Sequence, residues 1–552
     1  MTTYSGINTA WILVATALIF FMQAGFGMLE TGMTRAKNAG NIVMKNIIDF
    51  CISAPIFWII GYKIIYGVGG NSSLIELGIP VEAFLIFQTC FCGTSATIVS
   101  GAMAGRTKFA AYCLCTAALS AIVYPICAQW IWGQGFLKQM GFHDFAGGTV
   151  VHLVGGTAAF VAATILGPRV GKYAKDGKAR AIPGHNLTIA ALGMFILWFS
   201  WFGFNGGSTL GIDTPELGIM AARAFFNTNI SAALSALTTM LFTWIIYKKP
   251  DISLTINGGV AGLVVITAGC DVFDSMGAAI CGICAGLIMV ISNSFIEKKL
   301  HVDDPVGAIG VHGACGLLGT ILVGVFSTET GLLYGNGVHQ FGIQLFGSVI
   351  VLLFTAAVMG ILYQIINKTV GLRVPVEEEI TGLDKVEHGL ENAYDGFMTL
   401  NYMPGTGAVE KDKIDKSEIL KAQLETSSDP TICETKLTKI EIITKQNKFE
   451  ELKTELNKIG ITGITVSQVM GCGVQMGAED TYRGSDIGIQ ILPKIRVEIV
   501  VAHVPVKDVV DTAKRVLYTG HIGDGKIFIY NVDNAIKVRT GEEGYDAMQN
   551  DD

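Results

Sequence analysis

The chain has 552 residues, of which 51% are hydrophobic and only 15% are charged, and its formal net charge is -7. Its mean hydropathy of +0.49 excludes an ordinary soluble protein and predicts that much of the chain lies in a lipid bilayer. No basic face stands out, so nothing in the sequence indicates a nucleic-acid partner.

Polarity changes along the chain and divides it into three predicted parts. Apolar runs dominate until Arg373, and charged, mixed sequence follows. We predict a membrane domain over residues 1–397, a flexible linker over 398–437 and a soluble domain over 438–552. A random-coil linker of about forty residues spans roughly 30–40 Å.

Eleven apolar segments of the first domain approach the ~20 residues that a helix needs to cross the hydrocarbon core of a bilayer. The weakest of them is 255–270. The predicted spans are 10–30, 42–66, 83–104, 109–131, 147–167, 186–207, 219–247, 255–270, 275–296, 306–327 and 340–367.

Lysine and arginine are concentrated in alternate loops between these spans, for example near Arg35, near Arg106 and from Arg169 to Arg180. Basic loops face the cytoplasm. We therefore expect a multi-pass protein of the cytoplasmic membrane, with its N-terminus outside and its soluble domain in the cytoplasm. An odd number of spans requires the same arrangement.

Two segments carry an aspartate followed eight residues later by a histidine, and we expect both pairs to lie inside membrane helices. Asp144 leads to His152 in DFAGGTVVHLVGG, and Asp304 leads to His312 in DPVGAIGVHGACG. A single buried histidine could equally be satisfied by a neighbouring carbonyl. Two in matching settings instead predict an internal repeat with a transport site at its centre. Facing imidazoles would share one N–H···N bond and line a path for a small neutral molecule.

Several aromatic residues fall at the outer ends of spans, where rings at a pore mouth attract cations through their faces. They are Phe87, Phe91, Trp132, Trp201, Phe202 and Phe204. Aromatic belts are ordinary at membrane interfaces, and we assign Phe87, Trp201 and Phe202 to such a belt. Ser208 adds a hydroxyl acceptor beyond these rings.

Seven segments together resemble the ammonium transporter (Amt/Mep/Rh) family over roughly residues 5–395. They are GFGMLETGMTRAKN, FQTCFCG, WGQG, DFAGGTVVH, WFGFNGGS, DDPVGAIGVHG and EEEITGLDKVEHG. The resemblance implies an all-α membrane fold of eleven transmembrane helices with inverted five-helix repeats. It also implies a homotrimer with one ammonium pore per subunit, which is a transporter and not an enzyme.

The same resemblance gives roles to individual residues. Phe91, Trp132 and Ser208 match the external recruitment site, where Asp144 holds the mouth in shape. Phe91 and Phe204 match a stacked gate, and His152 and His312 match a twin-histidine pore. Because an apolar pore excludes bare ions, we hypothesise that ammonia crosses separately from a proton relayed by the histidines, with net transport of ammonium.

The soluble domain alternates strands and helices, from TKIEIITK to GKIFIYNV, in the ferredoxin-like α/β order βαββαβ. The segment GHIGDGK is not a Walker loop, because Ile527 replaces serine or threonine and a strand follows. Residues 438–546 resemble the PII signal-transduction (GlnK-like) family, through GITGITVSQVMGCG, YRGS, LPKIRVEIVV, TGHIGDGKIF and VRTGEEG.

The PII resemblance implies that ATP or ADP binds between the subunits of a trimer and that 2-oxoglutarate is sensed through Mg2+-ATP. The implied nucleotide contacts are Thr465, Gly471, Gly473, Gly523, Asp524, Gly525, Lys526, Lys537 and Arg539. Gln475 would coordinate Mg2+, Lys494 would pair with 2-oxoglutarate, and Arg483, in a loop over 473–491, would enter and block the pore.

Three positions depart from the PII pattern, and one of them is Met476, which replaces a usual basic residue of the loop and puts one ligand contact in doubt. Ile487 stands where many relatives have a modified tyrosine, and Lys537 replaces a usual arginine, which keeps the charge but loses a bidentate fork. Ser485 is either a modification site or, more simply, an ordinary loop serine.

We interpret the chain as an ammonium transporter gated by its fused PII domain. Fusion raises the local concentration of such a regulator toward the millimolar range. The alternative is an ammonium sensor that signals through the PII domain with little transport. An ATP-driven pump is disfavoured, because the sequence has no Walker pair.

Overall fold

The computed structural model describes residues 4–67, 78–390, 393–394, 437–445, 448–471, 481–482, 485–486, 492–502, 504–518 and 524–548. They include a membrane unit that runs to Tyr394 and a C-terminal unit that begins at Leu437. The predicted linker over 398–437 lies outside the described residues, except that Leu437 is already the first residue of a strand.

Ten helices among the described residues are long and apolar enough to cross a membrane, and each coincides with a predicted span. Ten of the predicted spans are thereby confirmed. These helices are α1 (Gly6–Met33), α2 (Ala36–Tyr66), α3 (Val81–Met103), α4 (Phe109–Gln139), α5 (Gly148–Leu166), α6 (Leu187–Thr209), α7 (Pro215–Tyr247), α9 (Ser275–Lys298), α10 (Ile309–Phe326) and α11 (His339–Thr369).

The weakest predicted span, 255–270, is a shorter apolar helix, α8 (Ile252–Ile266), of 15 residues. It is almost wholly buried, and the turn that follows it accepts backbone hydrogen bonds from Phe145 and Ala146. Irregular backbone inside a membrane protein is stable where protein surrounds it. Ten full-length spans and this shorter helix therefore stand where eleven spans are predicted. Two short helices follow α11, namely α12 (Val376–Thr381) and α13 (Leu383–His388).

Buried ion pairs hold the charged ends of the membrane unit together. Asp303 accepts from Arg169 at 2.7 Å, and Glu379 of α12 accepts from Arg373 at 2.7 Å. Burial alone would raise the pKa of Asp303, but the charges of Arg169 and Arg106 outweigh it and hold that pKa well below its ordinary value. The Asp303–Arg169 ion pair therefore fixes the segment that precedes α10, the helix that carries His312.

Helices α5 and α10 begin in the same way, which supports an internal repeat. Asp144 and Asp304 each accept hydrogen bonds from the backbone nitrogens three and five residues later, at 2.7 to 3.0 Å. The residue three positions on is a glycine with φ of 101° in one segment and 82° in the other, values that glycine adopts readily. Both aspartates therefore cap their helices from outside. The prediction that they lie inside the helices is wrong, because their carboxylates satisfy the free backbone nitrogens at the helix start.

The two histidine-bearing helices cross closely and run antiparallel. A β-carbon on Gly156 would lie 2.2 Å from the backbone nitrogen of Gly313, and one on Gly316 would lie 3.0 Å from the nitrogen of Leu153. Residue numbers thus rise along α5 as they fall along α10. Such an antiparallel crossing of matching segments is what two inverted halves require.

The C-terminal unit has the predicted βαββαβ order, which confirms the ferredoxin-like plan. Its strands are β1 (Leu437–Thr444), β2 (Thr465–Gly471), β5 (Leu492–Val501) and β6 (Lys526–Val532), and two short strands, β3 (Thr481–Tyr482) and β4 (Ser485–Asp486), come between β2 and β5 along the chain. Four of them form an antiparallel sheet in the order β2-β5-β1-β6, and β3 pairs with β4. Helices α14 (Phe449–Lys458) and α15 (Val506–Leu517) follow β1 and β5.

The core of this sheet follows from its alternating sequence. Ile440 and Ile442 of β1 and Val497 and Ile499 of β5 are buried, together with Leu452 and Leu456 of α14. Residues two apart on a strand share a face. One face of the sheet is therefore covered by the helices, which fixes the strand register.

The close crossing of α5 and α10 predicts that Gly156→Ala destabilises the membrane unit. The added β-carbon would meet backbone that cannot rotate away, and overpacking of this kind costs about 1–3 kcal/mol. We expect a lower thermal unfolding temperature in detergent. The matched control is Gly342→Ala on α11, where a β-carbon meets nothing within 4 Å. Equal unfolding temperatures for the two variants would contradict the crossing.

Candidate functional site

The centre of the membrane unit is a pair of buried histidines in contact. Nδ1 of His152 lies 3.2 Å from Nδ1 of His312, and the two ring centroids are 5.3 Å apart. Both side chains are buried. The structure therefore brings the two predicted pore residues together, one from each antiparallel helix.

The contact between the rings fixes how their protons are arranged. In a neutral pair one Nδ1 donates and the other accepts, so one Nε2 carries a proton and the other has a lone pair. Among the described residues, Nε2 of His152 has no hydrogen-bond partner although it is buried. The pair thus offers one donor and one acceptor nitrogen to a small guest that can both accept and donate.

Aromatic rings close the path above His152. Phe91 and Phe204, the predicted gate, stack with centroids 4.3 Å apart and an interplanar angle of 30°. The ring of Phe204 in turn lies 5.5 Å from that of His152. Because both phenylalanines are buried, these rings must move apart before a guest can pass.

The predicted recruitment residues surround this gate. The ring of Trp132 meets Phe91 edge-on at 5.8 Å, and its Nε1 donates to the carbonyl oxygen of Asp144 at 2.7 Å. The Ser208 hydroxyl donates to the carbonyl of Phe204 at 2.8 Å, which leaves the oxygen lone pairs free to accept from a cation. The structure thus groups Trp132, Phe91 and Ser208 around one mouth.

Asp144 acts on the mouth through the backbone. Its carboxylate is buried and accepts from Gly147, Thr149 and Val150, so it orders the start of α5. Burial raises the pKa of this carboxyl, and the three backbone donors oppose that rise. The backbone carbonyl of Asp144 also accepts the hydrogen bond from Nε1 of Trp132, so Asp144 helps to hold that ring in position.

Two aromatic residues assigned to an interfacial belt pack inside the protein instead, against His152 and Phe91. Trp201 stacks on His152 with centroids 5.0 Å apart and donates to Thr267 at 2.9 Å, and Phe87 packs on Phe91 at 4.9 Å. Both are buried. The belt assignment of Trp201 and Phe87 is therefore wrong, because they pack against protein. The sequence could have indicated this position for Trp201, because Trp201 lies three residues before Phe204 and therefore on the same face of the helix.

A cavity lies beyond His312, at the other end of the pair. Phe26 of α1 approaches the His312 ring at a centroid distance of 5.9 Å. The cavity has a volume of about 20 Å3, enough for one molecule the size of water, and is lined mainly by apolar side chains, with Glu30 and Asn257 as the polar exceptions beside His312. The sequence of contacts therefore runs from the mouth through Phe204 and the histidines to this cavity.

In the C-terminal unit, the predicted nucleotide residues fall into two groups. Asp524, Gly525 and Lys526 form the turn into β6, where the Asp524 carbonyl accepts from Thr444 at 3.1 Å. A β-carbon on Gly525 would lie 2.2 Å from the carbonyl oxygen of Ile443, so this turn requires glycine. The φ of 125° at this position also favours glycine over other residues.

The second group lines a groove that crosses the sheet. Thr465 opens β2, and Lys537, which follows β6, contacts the same groove, near the ion pair of Lys439 and Glu498. Because β2 and β6 are the outer strands, three strand spacings, or roughly 14 Å, separate the two edges. Within one chain Thr465 is therefore apart from the turn into β6.

The remaining predicted residues of this unit are placed only in part. Gly471 ends β2, Lys494 of β5 pairs with Val469 of β2, and Arg539 lies in an exposed turn after β6. Gly473, Gln475, Arg483, Ile487 and Gly523 lie outside the described residues.

Comparison with known proteins agrees with this geometry. A model of the Ammonium Transporter Family matches residues 10–394, and one of the Nitrogen regulatory protein P-II matches residues 437–542. Ammonium transporter Amt2 of Archaeoglobus fulgidus is 41% identical over 423 residues, which cover 71% of this chain and 89% of that protein. Ammonium transporter 3 of Dictyostelium discoideum is 35% identical over 69% of this chain and 93% of its own length.

Solved structures show the same fold. A protein described as a Sensor Amt Protein is 37% identical, with a TM-score of 0.65 over 69% of this chain and 98% of its own. Candida albicans Mep2 is 27% identical, with a TM-score of 0.62 over 68% of this chain and 88% of its own. The chain therefore belongs to the ammonium transporter family, whose members are multi-pass membrane transporters and not enzymes, and it carries a PII domain at its C-terminal end.

Proposed function

We propose that the chain conducts ammonium across the cytoplasmic membrane through its twin-histidine pore and that the fused PII domain regulates this flux. The observation that carries the proposal is the 3.2 Å contact between Nδ1 of His152 and Nδ1 of His312 at the centre of the membrane unit. It supplies a donor and an acceptor nitrogen where the surrounding residues are apolar.

Selectivity follows from the cost of burying a charge. Ammonium and potassium ions have similar sizes, so a sieve cannot separate them. An ion that enters an apolar pore loses its hydration at a large cost. Ammonium avoids that cost by giving up a proton at the mouth, which the histidines relay while ammonia passes. Potassium has no proton to lose.

The mouth is suited to gather the cation before this step. The rings of Trp132 and Phe91 present aromatic faces and edges around the Ser208 oxygen. A desolvated cation over an aromatic face gains ~2 kcal/mol. The basic loops argue that this mouth faces outward and that the PII domain lies in the cytoplasm.

The regulatory part of the proposal concerns ATP, ADP, Mg2+ and 2-oxoglutarate. The glycine turn at Gly525 and the amino group of Lys526 suit a phosphate, since turns of this kind present backbone nitrogens to anions. Ligand binding would then decide whether the loop that carries Arg483 occupies the pore.

We further propose a homotrimer, which the separation of the nucleotide residues supports. Lys526 and Thr465 lie on opposite edge strands of one sheet. In a ring of three subunits, one edge of each sheet meets the other edge of its neighbour. The nucleotide would therefore bind between subunits, and one PII trimer would match three pores.

The alternative function is an ammonium sensor with little flux. The likeness to a protein described as a Sensor Amt Protein favours it. The buried histidine pair and the stacked Phe91–Phe204 gate favour transport, because a sensor needs only the mouth. Flux of the full chain and of a chain without the C-terminal domain separates the two functions.

The pore proposal predicts that His152→Ala and His312→Ala each lower the ammonium-selective current of proteoliposomes at least tenfold, because each removes a relay nitrogen. The measurement is the current on solid-supported membranes after an ammonium jump. His339→Ala, at the exposed start of α11, is the matched control and keeps its current. Undiminished ammonium-selective current in both pore variants would refute the relay.

The regulatory proposal predicts that the ammonium current differs at least severalfold between ADP and Mg2+-ATP with 2-oxoglutarate. Lys526→Gln removes a positive charge beside the glycine turn, so it abolishes that difference. Lys507→Gln, on the exposed side of α15, is the matched control and leaves it intact. A wild-type current that is identical in both ligand conditions would rule out nucleotide gating.

A further inference from the structure

A buried carboxylate shares the cavity beyond the histidine pair. Glu30 of α1 is 2% exposed and lines the same cavity of about 20 Å3 as His312. It lies one helical turn after Phe26, whose ring is 5.9 Å from the His312 ring. An ionisable group facing a cavity inside a membrane protein indicates a functional site.

Glu30 is held in one position by neighbouring helices. Its Oε2 accepts from the Ser100 hydroxyl of α3 at 2.8 Å and from the Asn46 amide of α2 at 3.1 Å. Both bonds fix the orientation of the carboxyl group, and its other oxygen, Oε1, takes part in neither.

Two further ionisable groups lie near Glu30. Lys45 and Asp49 of α2 are both fully buried, and their charges act on Glu30. Asp49 is satisfied by the hydroxyls of Tyr112 and Thr116, at 2.6 and 2.8 Å. The three side chains therefore form one buried polar cluster.

Glu30 is the member of this cluster that reaches the cavity. The amino group of Lys45 lies 4.9 Å above the Tyr112 ring and has no hydrogen-bond partner among the described residues. Glu30 is the one acidic residue among those that line the cavity, whereas Asp49 is not among them. A proton that arrives beyond His312 can therefore reach Glu30 through the shared cavity.

We propose that Glu30 is the proton acceptor at the far end of the twin-histidine relay, and that ammonium is re-formed in the cavity it shares with His312. This inference rests on the proposed pore function. Imidazolium of the pair loses a proton from nitrogen, and the Glu30 carboxylate gains it as a carboxyl. The carboxyl then gives that proton to ammonia, which leaves as ammonium and restores the carboxylate.

The chemistry explains why a polar cluster sits in an otherwise apolar wall. Ammonia that leaves the histidines meets mainly apolar side chains, among which neither a proton nor a cation is stabilised. Glu30 supplies both the proton and the counter-charge for the new cation. Phe26 separates it from the pair by one turn, which leaves room for a guest or a water molecule to carry the proton.

The inference is tested with the full chain in proteoliposomes by Glu30→Gln, which keeps the shape and hydrogen-bonding groups but cannot ionise. The ammonium current should fall at least tenfold, while the half-saturating ammonium concentration stays unchanged because the mouth is intact. Glu30→Asp should restore part of the current. Glu82→Gln, at an exposed position of α3, is the matched control and should carry wild-type current.

A milder variant, Ser100→Ala, reports on the same group without removing it. Loss of the 2.8 Å hydrogen bond favours the protonated carboxyl, so the pH of half-maximal current should rise. The titratable groups that surround Glu30 and stay in place in this variant are Lys45, Asp49, Tyr112 and His312.

The outcomes separate this inference from the pore function. Wild-type current in Glu30→Gln would overturn the role of Glu30 and leave the pore untouched. An unaltered pH profile in Ser100→Ala would overturn it as well, including when Glu30→Gln fails to fold. No ammonium current in the wild-type chain would overturn the pore function itself, and the inference with it.

Discussion

The membrane unit depends on one contact, the pairing of His152 and His312 across two antiparallel helices. The contact needs close backbones, and the glycines at 156 and 316 provide them. It also needs both helices to start at the right depth, which the capping aspartates and the left-handed glycines fix. Inside this apolar wall the two rings satisfy each other at Nδ1, and Nε2 of His152 stays without a partner among the described residues.

The same desolvation that excludes ions explains the order of groups along the path. Aromatic rings and the Ser208 oxygen can hold a cation only at the mouth, where water is near. Beyond the Phe91–Phe204 gate the wall is apolar, and the histidines are the first polar groups in the contact sequence. The charge therefore returns only where a buried carboxylate, Glu30, shares a cavity with His312. On the proposed path, the charged cation is therefore held at the mouth, neutral ammonia passes the histidines, and the cation forms again beside Glu30.

The sequence predicted most of the fold, because apolar length and alternation are local signals. It predicted the histidine pair through matched spacing, although the contact itself joins residues 160 positions apart. It missed Trp201 and Phe87 because an aromatic ring in an apolar run packs equally well against lipid or protein. Glu30 was missed because Asn46 and Ser100, which hold it, lie on other helices. The sequence did not predict that α8 is only 15 residues long, because a short membrane helix is stable only where protein surrounds it, and periodicity carries no information on such packing.

The most direct test of the account is the ratio of charge to ammonium, from current and labelled ammonium uptake measured in the same proteoliposomes. A relay through the histidine pair moves one proton with each ammonia, so the account predicts one elementary charge per ammonium and no potassium current. Uptake without charge, or a potassium current comparable to that of ammonium, would contradict it.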